Sequence, residues 1–234
     1  MLKSNSVLIT GASRGIGLEF ARQYIQAGWR VYATCRYPER AYDLNQLAVS
    51  SSKNIIIHQL DVTNGNHITT LKKLLHQQPL DVLINNAGVL GPKQQNFGNT
   101  DVDAWAHTMR VNAIAPLKIM EAFIDNVAAS ERRLIVNLTS RMGSITANNS
   151  GDYYIYRSSK AALNAVIRNA ALDLTNKGIT VVALHPGWVR TDMGGAIAEI
   201  EVTQSVTCLL TVINQIEAKD NGKFFDLNGF IIPW

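Results

Sequence analysis

Short apolar runs rich in Val, Ile and Leu recur along the chain, separated by longer stretches in which apolar residues return every three or four positions. The short runs predict strands over 6–10, 30–35, 54–61, 82–87, 133–140, 180–186 and 224–227. The longer stretches predict helices over 15–27, 64–77, 101–129, 155–177 and 202–217. The strand runs are apolar nearly throughout instead of alternating with polar residues, as expected where helices cover both faces of a sheet. Repeated strand–helix units therefore predict an α/β chain: a doubly wound, seven-stranded parallel sheet flanked by helices on both faces. No repeat, low-complexity tract or linker divides the sequence, so one domain over 1–234 is expected. Such sheets bind ligands beyond the carboxyl ends of their strands, near the switch point.

Composition changes this picture little. Hydrophobic residues make up 47% and charged residues 17%, an ordinary globular balance. The formal charge of +4 is spread over scattered Lys and Arg, with no basic run or aromatic face of a nucleic-acid binder. A mild positive field suits a phosphorylated small molecule equally well. Cys35 and Cys208 lie far apart and read as reduced thiols. His58, His67, His76, His107 and His185 form no ligand spacing, so no metal is expected. The N-terminal MLKSNSVLIT has no long apolar core, and no segment reaches the ~18 apolar residues that span a bilayer. A cytoplasmic protein without membrane partners is the expectation.

The first predicted strand runs directly into Gly11-Ala12-Ser13-Arg14-Gly15-Ile16-Gly17 and then into a helix. Gly11 permits a tight turn, while Gly15 and Gly17 let backbone approach a pyrophosphate at the helix N-terminus. In this context the motif reads as a dinucleotide cradle, the mark of a Rossmann fold. The second strand ends in Cys35-Arg36, without the carboxylate that accepts the ribose hydroxyls of NAD. Arg36 instead offers a guanidinium fork to a 2′-phosphate, with Arg14 on the other side of the loop, so NADP(H) is favoured over NAD(H).

Tyr156 and Lys160 stand four residues apart at the start of the 155–177 helix, on one face. A neighbouring ammonium favours the phenolate, which makes a tyrosine usable as an acid or base. Such a pair is weak evidence alone. It occurs in order with Thr10-Gly11-x-x-x-Gly15-x-Gly17, Asn85-Asn86-Ala87-Gly88, Asn112, Ser140 and Pro186-Gly187. Together these resemble the short-chain dehydrogenase/reductase family over essentially the whole chain. SRMGSI, YRSSKAALNA and HPGWVRTDMGG are similar to its C-factor-like and sniffer-type carbonyl reductase branch.

The resemblance implies an oxidoreductase that moves a hydride between a nicotinamide and a carbonyl or alcohol. Tyr156 would be its acid/base, and Lys160 would hold the nicotinamide ribose and lower the tyrosine pKa. Ser140 would hydrogen-bond the substrate oxygen, and Asn112 would position a water that relays protons through Lys160. Asp61 and Val62 would contact adenine, although Asp61 also suits a cap for the next turn. Asn86, Ala87 and Gly88 would pass the adenosine ribose, with Asn85 free to tie strands together. Pro186, Gly187, Val189 and Thr191 would hold the carboxamide. Ser140 and Tyr156 are 16 residues apart, longer than the family's usual spacing, so 145–154 reads as an inserted loop. Thr139 and Ser144 compete with Ser140 as hydroxyls.

Only Asp192–Glu201 separates Thr191 from the last long helix, so any lid is small. Met142, Tyr154, Trp188 and Met193 are candidate substrate walls. A homodimer or homotetramer through the 101–129 and 155–177 helices is implied by the family, and the terminal GFIIPW would join a subunit contact or close the domain. An NAD-dependent alcohol dehydrogenase is an alternative that Arg36 disfavours. A non-catalytic cofactor-sensing or signalling protein is another, disfavoured by the intact Asn112, Ser140, Tyr156 and Lys160 set.

Overall fold

The structure, a computed structural model, describes residues 5–51 and 54–234. The N-terminal reading above falls partly on residues 1–4, which lie outside that range. Seven parallel strands form one sheet: β1 (Ser6–Ile9), β2 (Arg30–Cys35), β3 (Ile55–Gln59), β4 (Val82–Asn85), β5 (Leu134–Leu138), β6 (Thr180–Leu184) and β7 (Phe224–Phe225). Their order is β3-β2-β1-β4-β5-β6-β7, which puts the switch point between β1 and β4. The helices are α1 (Gly15–Gln26), α2 (Tyr42–Ser50), α3 (Gly65–Leu74), α4 (Val102–Met109), α5 (Ala115–Ala128), α6 (Tyr154–Asp173) and α7 (Val202–Gln215).

Continuous apolar strands make sense because successive side chains enter two different cores. Val7 and Ile9 face α1, α2 and α7, where Phe20, Leu44 and Leu209 are fully buried. Leu8 faces the opposite layer of α3, α5 and α6, with Leu71, Phe123 and Ile167. One-residue slippage of a strand would exchange the residues offered to the two cores, so the register is tightly specified.

Two features differ from the sequence expectation. The 101–129 pattern is not one regular helix: α4 passes into α5 through a π-helical turn at Arg110–Ile114. Pro116 has no N–H to give the Asn112 carbonyl, and the Ala115 N–H reaches back to the Arg110 carbonyl instead. Second, α2 fills a gap for which no helix was expected; Leu44 is its only buried residue, so its apolar stripe is faint.

Candidate active site

The expected site residues gather at the carboxyl ends of the strands. After β1 the chain turns through Gly11 at φ +70°, and a Cβ there would stand 2.9 Å from the Ala87 Cα. A Cβ on Gly17 would collide with the Gly11 carbonyl oxygen and lie 2.5 Å from Asn86 Nδ2. The switch point is stitched shut by Thr10, whose hydroxyl accepts from the N–H groups of Asn86 at 3.0 Å and Ala87 at 3.1 Å. Asn86 Nδ2 in turn donates to the Thr10 and Gly11 carbonyls. Asn85 ties β4 to β5 through Asn137 at 2.8 Å, as expected.

The residues present fit a phosphorylated dinucleotide. The first turn of α1 has neither a side-chain cap nor an acidic residue, which leaves its N–H groups and positive dipole end available to an anion. Across the cleft, Gly15 would carry a Cβ 3.3 Å from the Thr191 Cγ2, so a bare backbone keeps that gap open. Val189 is buried, and the Thr191 hydroxyl accepts from the Gly194 N–H at 3.1 Å. Arg36 is exposed beyond β2, with its guanidinium carbon 6.0 Å from the Tyr37 ring. Arg40 covers the same ring at 5.3 Å, a second guanidinium that sequence reasoning missed. Arg14 reaches the other way and pairs with Asp192 at 3.2 Å, spanning the glycine loop and the short lid.

Asp61 closes a tight turn onto Thr63, while Asn64 caps α3. The Asp61 carboxylate accepts from the Thr63 N–H at 2.9 Å and hydroxyl at 2.7 Å. Burial alone would raise its pKa, but these bonds and the Arg36 and His67 charges outweigh it and hold the carboxyl below its usual range. Val62 is half-buried against the second core.

Tyr156 and Lys160 are both buried, one turn apart on α6. The Lys160 Nζ lies 5.9 Å from the Tyr156 ring centroid and donates to the Leu138 carbonyl at 2.9 Å. Burial pushes the Tyr156 phenol up to about 12, while its near neighbour, the Ser140 hydroxyl, pulls it the other way. Burial lowers Lys160 from 10.5 to about 8. The expected depression of the tyrosine by the lysine is therefore not seen here. The amine loses its proton first, so no ammonium remains at the pH where the phenol ionises.

The competing hydroxyls separate cleanly. Thr139 donates to Asn164 at 2.7 Å and Ser144 to the Pro233 carbonyl at 2.5 Å, whereas the Ser140 hydroxyl accepts from the Met142 N–H and faces Tyr156. Asn112, in the π turn, is fully buried. Its amide donates to the Val89 carbonyl at 2.8 Å and the Ser159 hydroxyl at 2.9 Å, and its oxygen accepts from the Val89 N–H.

The inserted loop is ordered by Arg157, which donates to the carbonyls of Met142 and Gly151 and to the Ser150 hydroxyl. The C-terminal segment closes the domain here: Trp234 stacks on Phe224 at 5.4 Å, and its carbonyl accepts from the Thr146 N–H at 3.2 Å. The lid folds back on itself through a Val189–Ile200 bridge and a hydrogen bond from Trp188 Nε1 to the Gly194 carbonyl. Tyr154, Trp188 and Met193 are exposed and Met142 is half-buried; Phe97 packs on Tyr154 at 6.1 Å. Among the described residues no cluster of His, Cys, Asp or Glu could hold a metal, and no helix is long and apolar enough to cross a membrane.

Sequence reasoning missed Thr10, Gln95 and Ser159 as organisers of the site. Thr10 and Ser159 stand inside recognisable motifs, whereas Gln95 carries no local signal.

A glycine turn under a helix N-terminus and a buried serine, tyrosine and lysine at the carboxyl end of a seven-stranded parallel sheet are the features of one class of oxidoreductase. A family profile described as short chain dehydrogenase matches residues 5–201, and the chain belongs to that family. It is 44% identical over 156 residues to C-signal of Myxococcus xanthus, covering 67% of this chain and 93% of that protein. The structure of carbonyl reductase Sniffer of D. melanogaster has a TM-score of 0.92 to it at 32% identity, over 99% of this chain and 100% of that one. NADPH-bound carbonyl reductase from chicken fatty liver has a TM-score of 0.90 at 33% identity, over the full length of both chains.

Proposed function

We propose that this chain is an NADP(H)-dependent carbonyl reductase in which Tyr156 is the acid and Ser140 and Lys160 act beside it. The observation that carries the reading is the joint burial of these three residues, with the Lys160 Nζ 3.7 Å from where a Gly88 Cβ would stand, one residue past the Ala87 that packs on the glycine turn. Gly11, Ser13, Gly15, Ile16 and Gly17 would hold the pyrophosphate, and Arg36 the 2′-phosphate; Arg14 would help from the other side only by leaving its Asp192 partner. Asp61, Val62, Asn86, Ala87 and Gly88 would line the adenosine, and Pro186, Gly187, Val189 and Thr191 the carboxamide. Bound NADPH supplies the hydride.

A phenol held at about 12 keeps its proton at neutral pH, which suits donation to a carbonyl oxygen. The Ser140 hydroxyl donates to that same oxygen as negative charge develops on it. Lys160, at about 8, exchanges protons readily near neutrality and returns one to Tyr156, with Asn112 ordering the relay. The NADP-bound relatives and the absence of a carboxylate after β2 favour the phosphorylated cofactor. Subunits would pair through the 101–129 segment and α6, where Ile114, at the end of the π turn, and Leu172 are exposed.

The test is a fluorescence titration with NADPH and NADH, followed by aldehydes, ketones and quinones with consumption of NADPH followed by absorbance. Tighter binding of NADPH and turnover with at least one carbonyl are expected; no binding of either nucleotide would refute the reading. The identity to C-signal favours a second reading, a cofactor-binding signalling protein, which predicts NADPH binding with no consumption across the panel.

A further inference from the structure

The first turn of α6 is capped from far away in the sequence. Its N-cap residue, Tyr153, is left-handed at φ 51° and gives no side-chain bond; Asp152 before it is also left-handed at φ 58°. The helix N–H groups that an ordinary cap would satisfy go instead to Gln95. Its carbonyl accepts from the Tyr154 N–H at 3.0 Å, and its side-chain Oε1 accepts from the Tyr156 N–H at 2.8 Å. Gln95 is only 2% exposed, and its Nε2 donates to the Leu90 carbonyl at 3.1 Å and the Pro92 carbonyl at 2.9 Å.

The other side of the same residue is also held. The Tyr156 carbonyl accepts from the Ser159 hydroxyl at 2.8 Å, and Ser159 accepts from Asn112. Asn112 fixes Val89 at the start of the loop that Gln95 ends. Tyr156 is thus clamped at its N–H and its carbonyl by one closed network. Its backbone is located by the 89–95 loop, which leaves the cleft after Gly88, and not by the strained chain that precedes it.

We infer that Gln95 is a positioning residue for Tyr156: it sets where the phenol stands relative to Ser140 without touching substrate or cofactor. The inference rests on the proposed role of Tyr156 and adds a residue to it. A displacement of about 1 Å in a reacting group can cost a large factor in rate.

Gln95→Met keeps the bulk of the side chain and removes its acceptor and both donors. Gln95→Glu returns the acceptor and, protonated in this buried setting, one donor. In Gln95→Met, amide hydrogen exchange at Tyr156, whose N–H loses its side-chain acceptor, should accelerate about tenfold while Tyr154, held by the Gln95 main-chain carbonyl, and the rest of α6 are unchanged. Its kcat should fall roughly ten- to a hundredfold, with KM for NADPH within about twofold, and Gln95→Glu should recover most of the loss. A merely structural role lowers the melting temperature and leaves kcat at its wild-type value; that result, or unchanged exchange at Tyr156, overturns the inference. So does a loss confined to KM for NADPH. A wild type that consumes no NADPH, or a fully active Tyr156→Phe, sinks the proposed function instead, and the exchange measurement still decides whether Gln95 holds the turn.

Discussion

Lys160 is a liability to the cofactor-free fold, and the size of that liability can be worked out. Its amine is buried with one carbonyl partner, and burial lowers it from 10.5 to about 8. The unfolded chain binds a proton there more tightly than the folded one, so stability rises with pH between these values. Below about pH 8 the full penalty of about 3 kcal/mol is present; it is relieved as pH climbs through about 10.5. Lys160→Met removes the charge but leaves the Leu138 carbonyl without its donor, which costs about 1 kcal/mol. The variant should therefore be more stable than wild type by about 2 kcal/mol near pH 7, and this gain should vanish near pH 10. Urea denaturation of both proteins at the two pH values gives the double difference, in which every other titrating group cancels. A Lys160→Met protein less stable than wild type at neutral pH, or a difference that ignores pH, refutes the reasoning. The same variant should have lost turnover, so stability and activity move in opposite directions.

Other outcomes test the site directly. Tyr156→Phe should lower kcat by about 10³-fold in carbonyl reduction while changing the NADPH Kd by less than about twofold, measured by stopped-flow and fluorescence titration. Arg36→Ala should weaken NADPH by about tenfold or more and leave NADH nearly unchanged, because only the former has a 2′-phosphate to lose. Ser140→Ala should lower kcat with little change in melting temperature, whereas Thr139→Val, which orphans Asn164, should cost about 1–3 kcal/mol of stability by thermal denaturation. Phe123→Ala, in the core beneath α5, should cost about 3–5 kcal/mol in the same assay.

The fold was legible because every central strand is buried on both faces: Val7, Leu8 and Ile9 leave a run no surface hairpin would carry. The site motifs were legible because strand ends, glycines and the Tyr156–Lys160 spacing are local features. What stayed hidden depends on distance in sequence or on small departures from regularity. The π turn lies inside an unbroken amphipathic pattern, and Pro116 was its one visible sign. The α2 stripe is faint because nearly all of that helix faces solvent. The pKa order of Tyr156 and Lys160 follows from how deeply each is buried, which spacing alone does not reveal. Gln95 meets Tyr156 across 61 residues, beyond any periodic signal.

Arg157 has a consequence for how this protein can diverge. It follows Tyr156 directly, yet its guanidinium turns outward and fastens the inserted loop near both ends, at Met142 and at Ser150 and Gly151. The start of that loop is also fastened to the C-terminal segment through Thr146. The helix turn that carries the chemistry therefore has an inner side under strict constraint and an outer side that accommodates a segment of changeable length. Exchange of residues 145–151 for a segment of another length is expected to leave the backbone positions of Tyr156 and Lys160 unchanged.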